Sequence, residues 1–590
     1  MKQFLKFFLA SFLAFIIGIF FLIFIIGGMI SVLISGAGDK EVTMNSNSIL
    51  KISLSEPVPE RTSSNPFENF DFSSMENHQQ SGMNDLLQNI EKATTDSRIK
   101  GIYIDANSVE AGMAQSEELR NALLKFRKSG KFVYAYADAY SQKAYYLSSA
   151  ADKIYLNPQG ALELHGMMTQ LMFLKGAFEK LEIEPILIRH GKYKSAGETF
   201  VLDKMSDENR QQVASFVNDI WLNMLQGISS ERKISVNELQ LIADSLKART
   251  AYAALNLKLV DKLAYYDEFI NDINSKAGSG SSSKLETISI NKYKKVAPED
   301  KKKFTTDRIA VIYAEGEIVD GEGDERSVGA YRTAEAIRKA RTDDKVKAIV
   351  LRVNSPGGSA LASEIIWRET ILAGKEKPLV VSMSDLAASG GYYISCGAAK
   401  IFTQKNTITG SIGVFGLLLN AQNMLKNKLG ITIDGYKTNT YTDLGLPTKP
   451  MSKGEQLIIQ ASVDSVYDVF TLRVSTGRNI SKTTVDSLGQ GRVWSGKAAL
   501  KSGLADTTGG LQDAIAYAAS LAKIDNYRLK ELPEQEDAFK SLLSDFSGDA
   551  ATWFEAKQLG TNAAYLKTMR VIMQTQGVRM HLGYEINFKD

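Results

Sequence analysis

Lys100-Gly-Ile-Tyr-Ile-Asp-Ala-Asn-Ser108 returns in altered form as Lys347-Ala-Ile-Val-Leu-Arg-Val-Asn-Ser355, 247 residues later. At the same offset, Tyr145-Tyr-Leu-Ser-Ser-Ala-Ala-Asp-Lys-Ile154 matches Tyr392-Tyr-Ile-Ser-Cys-Gly-Ala-Ala-Lys-Ile401. A third pair, Ala254-Leu-Asn-Leu-Lys-Leu-Val-Asp261 and Ala499-Leu-Lys-Ser-Gly-Leu-Ala-Asp506, follows at an offset of 245. Chance likeness of apolar strands could produce one such match, but three in register argue for a duplicated unit. Within each copy, β-branched runs (Ile102–Ile104 and Phe132–Ala135; Ala348–Val353 and Leu379–Ser382) alternate with helical stretches such as Ser116–Lys128 and Ala360–Ala373. Strands separated by helices of that length predict an α/β fold with largely parallel sheets.

At 590 residues the chain exceeds one ordinary core. The apolar share of 44% and charged share of 23% are those of a globular protein. The formal net charge of +3 and the lack of a basic, aromatic-studded stripe argue against a nucleic-acid partner. The single cysteine, Cys396, rules out an intrachain disulfide and cysteine-based zinc sites. With four histidines and no His-Glu-x-x-His, no catalytic metal is expected, and no cofactor motif stands out.

From Phe7 to Gly38 no residue is charged. About 20 apolar residues suffice to cross a bilayer, and this run is too long for the apolar core of an ordinary cleavable signal. Lys2 and Lys6 precede it, whereas Asp39, Lys40 and Glu41 follow. It is expected to be a retained transmembrane anchor with a cytoplasmic N-terminus. The alternative is an unusually long signal sequence. Residues 277–283 are Gly/Ser-rich and read as a linker, and residues 56–83 as a solvated loop before a helix at Met83–Ala93. The expected organisation is an anchor at 1–40, a first copy at 41–276, a linker at 277–284, a second copy at 285–530 and a helical extension at 531–590.

Three features carry chemistry. Arg352-Val-Asn-Ser-Pro-Gly-Gly-Ser359 joins a strand to a helix, and its Gly357-Gly358 can expose backbone N–H groups toward a developing oxyanion. A phosphate-binding loop would use the same physics, but the Gly-Lys-Ser/Thr ending is missing. In Ala387-Ala-Ser-Gly-Gly-Tyr-Tyr393, Ser389 stands among small residues at the start of a helix, with the Gly390 N–H beside it. That is the logic of a nucleophile elbow without its Gly-x-Ser-x-Gly pattern. The serine needs a base. Neither His165 nor His190 lies in its copy, so lysine is the better candidate, because burial disfavours the ammonium form.

The repeat helps to choose it. Offset 247 sets Gln142 against Ser389 and Val109-Glu110-Ala111 against Pro356-Gly357-Gly358, so the first copy has lost both nucleophile and oxyanion loop. At offset 248, Lys194 faces Thr442. One copy keeps the serine and the other keeps a lysine. Lys192 shares a strand face with Lys194, and spacing does not separate the two. Lys437 aligns with Arg189 and is weaker.

Asn354-Ser-Pro-Gly-Gly358, Ala388-Ser-Gly-Gly-Tyr-Tyr393, Thr409-Gly-Ser-Ile-Gly413 and Tyr193-Lys-Ser-Ala196 together resemble the signal peptide peptidase A (protease IV) family in its long, duplicated bacterial form. The resemblance runs from the anchor to about residue 530. It implies tandem Clp-protease/crotonase-like ββα-spiral domains and a Ser/Lys dyad, with Ser389 as nucleophile and Lys194, rather than Lys192, as general base. It implies that Ser411 orients the lysine and that Gly357, Gly358 and Gly390 supply oxyanion N–H groups. It further implies a homotetramer at the bacterial inner membrane, its catalytic region periplasmic, digesting cleaved signal peptides. Such apolar peptides would suit an apolar groove that takes them as an added strand. Two other readings are a crotonase-like thioester enzyme and a catalytically dead membrane scaffold.

Overall fold

The computed structural model describes residues 44–65, 70–71, 76–77, 81–278, 285–299, 304–535 and 577–582, with scattered helical positions between 3 and 21. Residues 22–40 of the expected anchor lie outside the described residues, as do 279–284 of the linker and 536–576 and 583–590 of the extension. Among the described residues, no helix is long and apolar enough to cross a membrane.

The strands Ile99–Asp105 and Val346–Ser355 carry mostly apolar residues and are buried on nearly every position, as suits a strand covered on both faces. Each takes a central place in a mainly parallel sheet. In the first half the order is Lys262–Leu263, Lys153–Leu156, Phe132–Ala137, Ile99–Asp105, Ser48–Ile52, Thr287–Ser289, and every pairing is parallel. In the second half the order is Val493–Ser495, Ile408–Gly410, Leu379–Ala388, Val346–Ser355, Arg308–Glu315, Arg528–Leu532. Lys400–Thr403 branches from Leu379–Ala388, and only the Val493–Ser495 pairing is antiparallel. The α/β class is therefore as expected. The helices Met113–Arg127 and Ala360–Glu376 occupy equivalent crossovers; the first starts three residues before the expected stretch and the second ends three residues after it.

Three differences from the expected organisation have physical causes. Thr287–Ser289, assigned by those boundaries to the second copy, pairs with Ser48–Ile52 and closes the first sheet. Arg528–Leu532 does the same for the second by pairing with Arg308–Glu315. Each copy thus ends on a strand that returns to its own first strand, and the composition-based linker precedes that return. Second, the 56–83 segment is not solvated throughout: Glu56 and Pro57 are exposed, but the chain then turns inward. Val58 and Glu60 are buried, the latter at 1% exposure, because Glu60 meets a buried arginine of the other copy. Third, Gly577–His581, inside the expected helical extension, is a strand, while 536–576 and 583–590 of that extension lie outside the described residues.

A third sheet joins the halves. Its order is Ser327–Gly329, Glu317–Val319, Gly357–Ser359, Gly577–His581, Val414–Asn420, Glu184–His190. The last member comes from the first copy and runs antiparallel to Val414–Asn420 over seven residue pairs, from Val414↔His190 to Asn420↔Glu184. Beneath this seam, one apolar cluster draws on both copies: Ile104 and Leu119 share it with Val350, Val380 and Ala388.

Candidate active site

Ser389 sits where the strand Leu379–Ala388 turns into the short helix Gly390–Ser395. Its backbone is at φ 55°, ψ −112°, a conformation that costs a non-glycine residue energy and persists only where the surroundings enforce it. Two bonds do so: its N–H donates to the Gly410 carbonyl at 2.8 Å, and its carbonyl accepts from the Tyr393 N–H at 2.8 Å. The turn leaves the side chain fully buried and projecting beside Gly390, whose N–H, at the first helical position, has no acceptor within the helix.

Lys194 arrives from the other copy. The strand Glu184–His190 delivers the chain to Gly191, and Tyr193 N–H bonds the Gln490 carbonyl at 2.9 Å. Gln212 fastens the same segment from its other side. Its amide nitrogen donates to the Tyr193 carbonyl at 3.1 Å and the Ser195 hydroxyl at 2.9 Å, and its oxygen accepts from Val493 N–H at 3.1 Å. Gly491 makes the approach possible. It lies at φ +80°, and a Cβ there would stand 2.5 Å from the Lys194 backbone. Lys194 Nζ ends 2.8 Å from Ser389 Oγ, 3.0 Å from Ser411 Oγ and 3.3 Å from the Ser411 carbonyl. It is 1% exposed and makes no ion pair among the described residues. Burial therefore pushes its pKa well below the ordinary lysine range, with no carboxylate to restore it. An amine held neutral can accept a hydroxyl proton.

The competing lysines are elsewhere. Lys192 is exposed, its ammonium over the Tyr193 ring, and Lys437 is exposed and paired with Asp443. His190, the one histidine near the entering strand, is turned to Asp464 at 2.7 Å. Of the three glycines expected to supply donors, Gly357 is already engaged, its N–H donating to Ser355 Oγ at 3.2 Å. That leaves Gly358 and Gly390 as the pair that converges: a Cβ on Gly390 would lie 3.2 Å from the Gly358 nitrogen.

A buried charge cluster behind this turn escaped the sequence reading. Arg352, fully buried, donates to Glu60 at 2.6 Å and to Glu118 at 2.8 Å, and both carboxylates come from the first copy. Burial opposes its charge, and Glu118 and Glu60 outweigh that effect, raising its pKa. Glu60 also accepts from Asn354 Nδ2 at 3.0 Å, and Asn354 Oδ1 accepts from Leu386 N–H at 3.1 Å. The glycine loop and the serine strand are thereby tied to one carboxylate. Asp385 reaches the other way and accepts from Ala114 N–H at 2.7 Å, at the start of the helix Met113–Arg127. Burial, with Glu60 nearby, pushes its carboxyl up to about 6. The only signal for Glu60 was an acid beside Val58 in a segment otherwise read as solvent-facing.

With the geometry in place, comparison with known proteins is direct. Peptidase family S49 matches the chain twice, over residues 125–279 and 372–525. Protease 4 of Salmonella typhi is 38% identical over 480 residues, spanning 80% of this chain and 77% of its own. Protease 4 of Haemophilus influenzae is 39% identical over 448 residues, 74% of this chain and 72% of its own. A solved ClpP1 from Listeria monocytogenes aligns with 35% of this chain and 94% of its own at 14% identity, with a TM-score of only 0.24. The two matches fall one on each copy, and the relatives extend across both, so the chain belongs to peptidase family S49 in its long, duplicated form and is a serine protease.

Proposed function

We propose that Ser389 is the nucleophile and Lys194 the general base of an endopeptidase whose single active site is shared between the copies. The observation that carries this reading is the 2.8 Å contact between Lys194 Nζ and Ser389 Oγ in a fully buried setting without a carboxylate. Neutral Lys194 takes the Ser389 proton as the hydroxyl attacks a peptide carbonyl, and the oxyanion forms against the Gly358 and Gly390 N–H groups. The resulting ammonium protonates the leaving amine, and water then frees the acyl group by the same steps in reverse. Ser411 holds the amine on line through its hydroxyl and carbonyl.

The substrates we infer are apolar peptides, signal peptides among them, bound as an extended strand. The protein is proposed to be anchored in the bacterial inner membrane through residues 7–38, with its catalytic region periplasmic, and to work as a homotetramer. The apolar, uncharged run and its flanking charges support the anchor. Within each copy we read the parallel strands and their crossover helices as a Clp-protease/crotonase-like spiral. The test is labelling with a serine-directed acylating reagent: modification at Ser389 that disappears in Lys194→Ala supports the dyad, and undiminished labelling or peptide cleavage in that variant overturns it.

A further inference from the structure

Residues 489–492 of the second copy run between the two parts that hold Ser389 to its base. On one side the Gln490 carbonyl accepts from Tyr193 N–H at 2.9 Å, one residue before Lys194. On the other, Gly491 N–H donates to the Ile412 carbonyl and the Arg492 carbonyl accepts from Ser411 N–H, each at 2.7 Å. The fit is close on both sides. A Cβ on Gly191 would stand 2.4 Å from the Gln490 carbonyl carbon, and one on Gly413 would stand 2.5 Å from the Gly491 Cα. A shift of this segment therefore moves the lysine and Ser411 together.

The segment does not hold itself. Gln490 lies at φ 54°, a left-handed backbone that persists in a residue with a side chain only where its surroundings enforce it. The enforcing group is Tyr467, on the helix Lys453–Arg478. Its phenolic oxygen accepts from Gln490 N–H at 3.1 Å and donates to Asp486 at 2.6 Å. The same Asp486 oxygen accepts from Gln490 Nε2 at 2.7 Å. Backbone and side chain of Gln490 thus end on one phenol–carboxylate pair. The phenol is buried, and burial and then the bond to Asp486 push its pKa up, so it keeps its proton where the lysine titrates. The first copy leans on the same ring. His190, which ends the strand Glu184–His190, stacks on Tyr467 with ring centroids 3.9 Å apart, its Nδ1 2.7 Å from Asp464 one turn earlier in the helix.

We propose that Tyr467 is a positioning residue for the protease reaction, holding Lys194 and Ser411 in line with Ser389 through residues 489–492. The inference rests on the Ser389–Lys194 reading. Among the described residues, Tyr467 makes no hydrogen bond to Ser389, Lys194 or Ser411, and it acts by fixing the backbone they rest on. Without its hydroxyl, Gln490 would be free to leave its left-handed backbone, and Tyr193 and Ser411 would follow. The amine would then lose both its alignment and the dry setting that keeps it neutral.

Steady-state cleavage of an apolar reporter peptide by the full-length protein in detergent, followed across pH, tests it. Tyr467→Phe keeps the ring against His190 and removes only the hydroxyl. It is expected to lower kcat about 10-fold with KM unchanged, and to move the kinetic pKa of the base up toward the ordinary lysine range by about half a pH unit. Asp486→Asn, which keeps the shape and withdraws the charge, should move both in the same direction by less. His581 does not blur the profile, because burial and then Lys194 push its pKa down to about 4. Wild-type kcat and kinetic pKa in Tyr467→Phe overturn the proposal, while an inactive Lys194→Ala leaves the dyad standing. A fall in kcat with the kinetic pKa unmoved gives Tyr467 a structural role only and also overturns it. Should Tyr467→Phe not fold, Asp486→Asn decides by the same two readouts. Full activity in Lys194→Ala overturns the dyad and this proposal together.

Discussion

Gln142 and Ser389 occupy equivalent turns of the two copies, and both are completely buried. In the first copy the carboxamide is engaged at both ends: its oxygen accepts from His165 and Gly166 N–H at 3.0 and 3.1 Å, and its nitrogen donates to the Gly166 carbonyl at 3.0 Å. His165-Gly166 stand at the same offset from Ile412-Gly413, next to Ser411. The first copy thus uses its central polar side chain to fasten a loop. The second leaves that loop to its backbone, where Ser411 N–H bonds the Arg492 carbonyl at 2.7 Å, and frees the serine for the lysine. The scaffold is common to both; what separates a structural turn from a reactive one is whether the buried group's hydrogen bonds are spent inside its own copy.

The contrast can be broken most severely at the shared atoms. Ser389→Ala and Lys194→Ala should each lower peptide-cleaving kcat by about 10⁴-fold or more while the circular-dichroism spectrum of the folded protein is retained. Because the lysine pKa is depressed in the folded state, the active neutral amine is regained well below pH 10, and the rate should rise with pH to a plateau there; a kinetic pKa above about 10 contradicts it. The same depression has a stability sign. Between the folded and unfolded pKa values the unfolded chain binds the extra proton, so stability climbs as pH rises through that window, and below it the burial cost is fully present. Lys194→Met should therefore be inactive yet melt at a higher temperature than wild type at pH 7.

Next in size comes Gly491→Ala. A methyl group that must stand 2.5 Å from the Lys194 backbone, at φ +80°, would displace the base, and kcat should fall about 10²-fold, read against an unchanged level of soluble protein. Ser411→Ala removes one of the bonds that aim the amine and should cost about 10-fold in kcat, with a shift of the kinetic pKa. The gentlest test concerns the silent turn. Gln142→Ser in a Ser389→Ala background should restore no cleavage, since no glycine pair faces it, and should cost about 1–3 kcal/mol in denaturant unfolding for the N–H groups it strands. Any recovered activity would mean the two turns differ less than their bonds indicate.

Duplication, parallel sheets and the serine were legible because each leaves a local mark: a repeated strand, a β-branched run, a Ser-Gly-Gly turn. Lys194 was legible only in part. Spacing could not set it apart from Lys192, since both belong to one short segment; the family resemblance chose Lys194, and in the fold Lys194 is buried against Gly491 while Lys192 is exposed. Glu60 was not legible at all. Its role depends on Arg352, nearly three hundred residues away, and a composition rich in Ser, Asn and Pro pointed to solvent. Gly577–His581 escaped for a related reason. A strand that exists by filling a gap between two others carries no periodicity of its own, and neighbouring amphipathic stretches suggested helix.

The hydroxyl and the amine are separated by 195 positions in the chain, and this spacing governs timing. On the dyad proposed above, the base emerges first during synthesis, with no partner to activate, and a product that ends before the second copy would be inert. On the same proposal, the new product would break a peptide bond only once translation has passed Ser411 and the halves have docked.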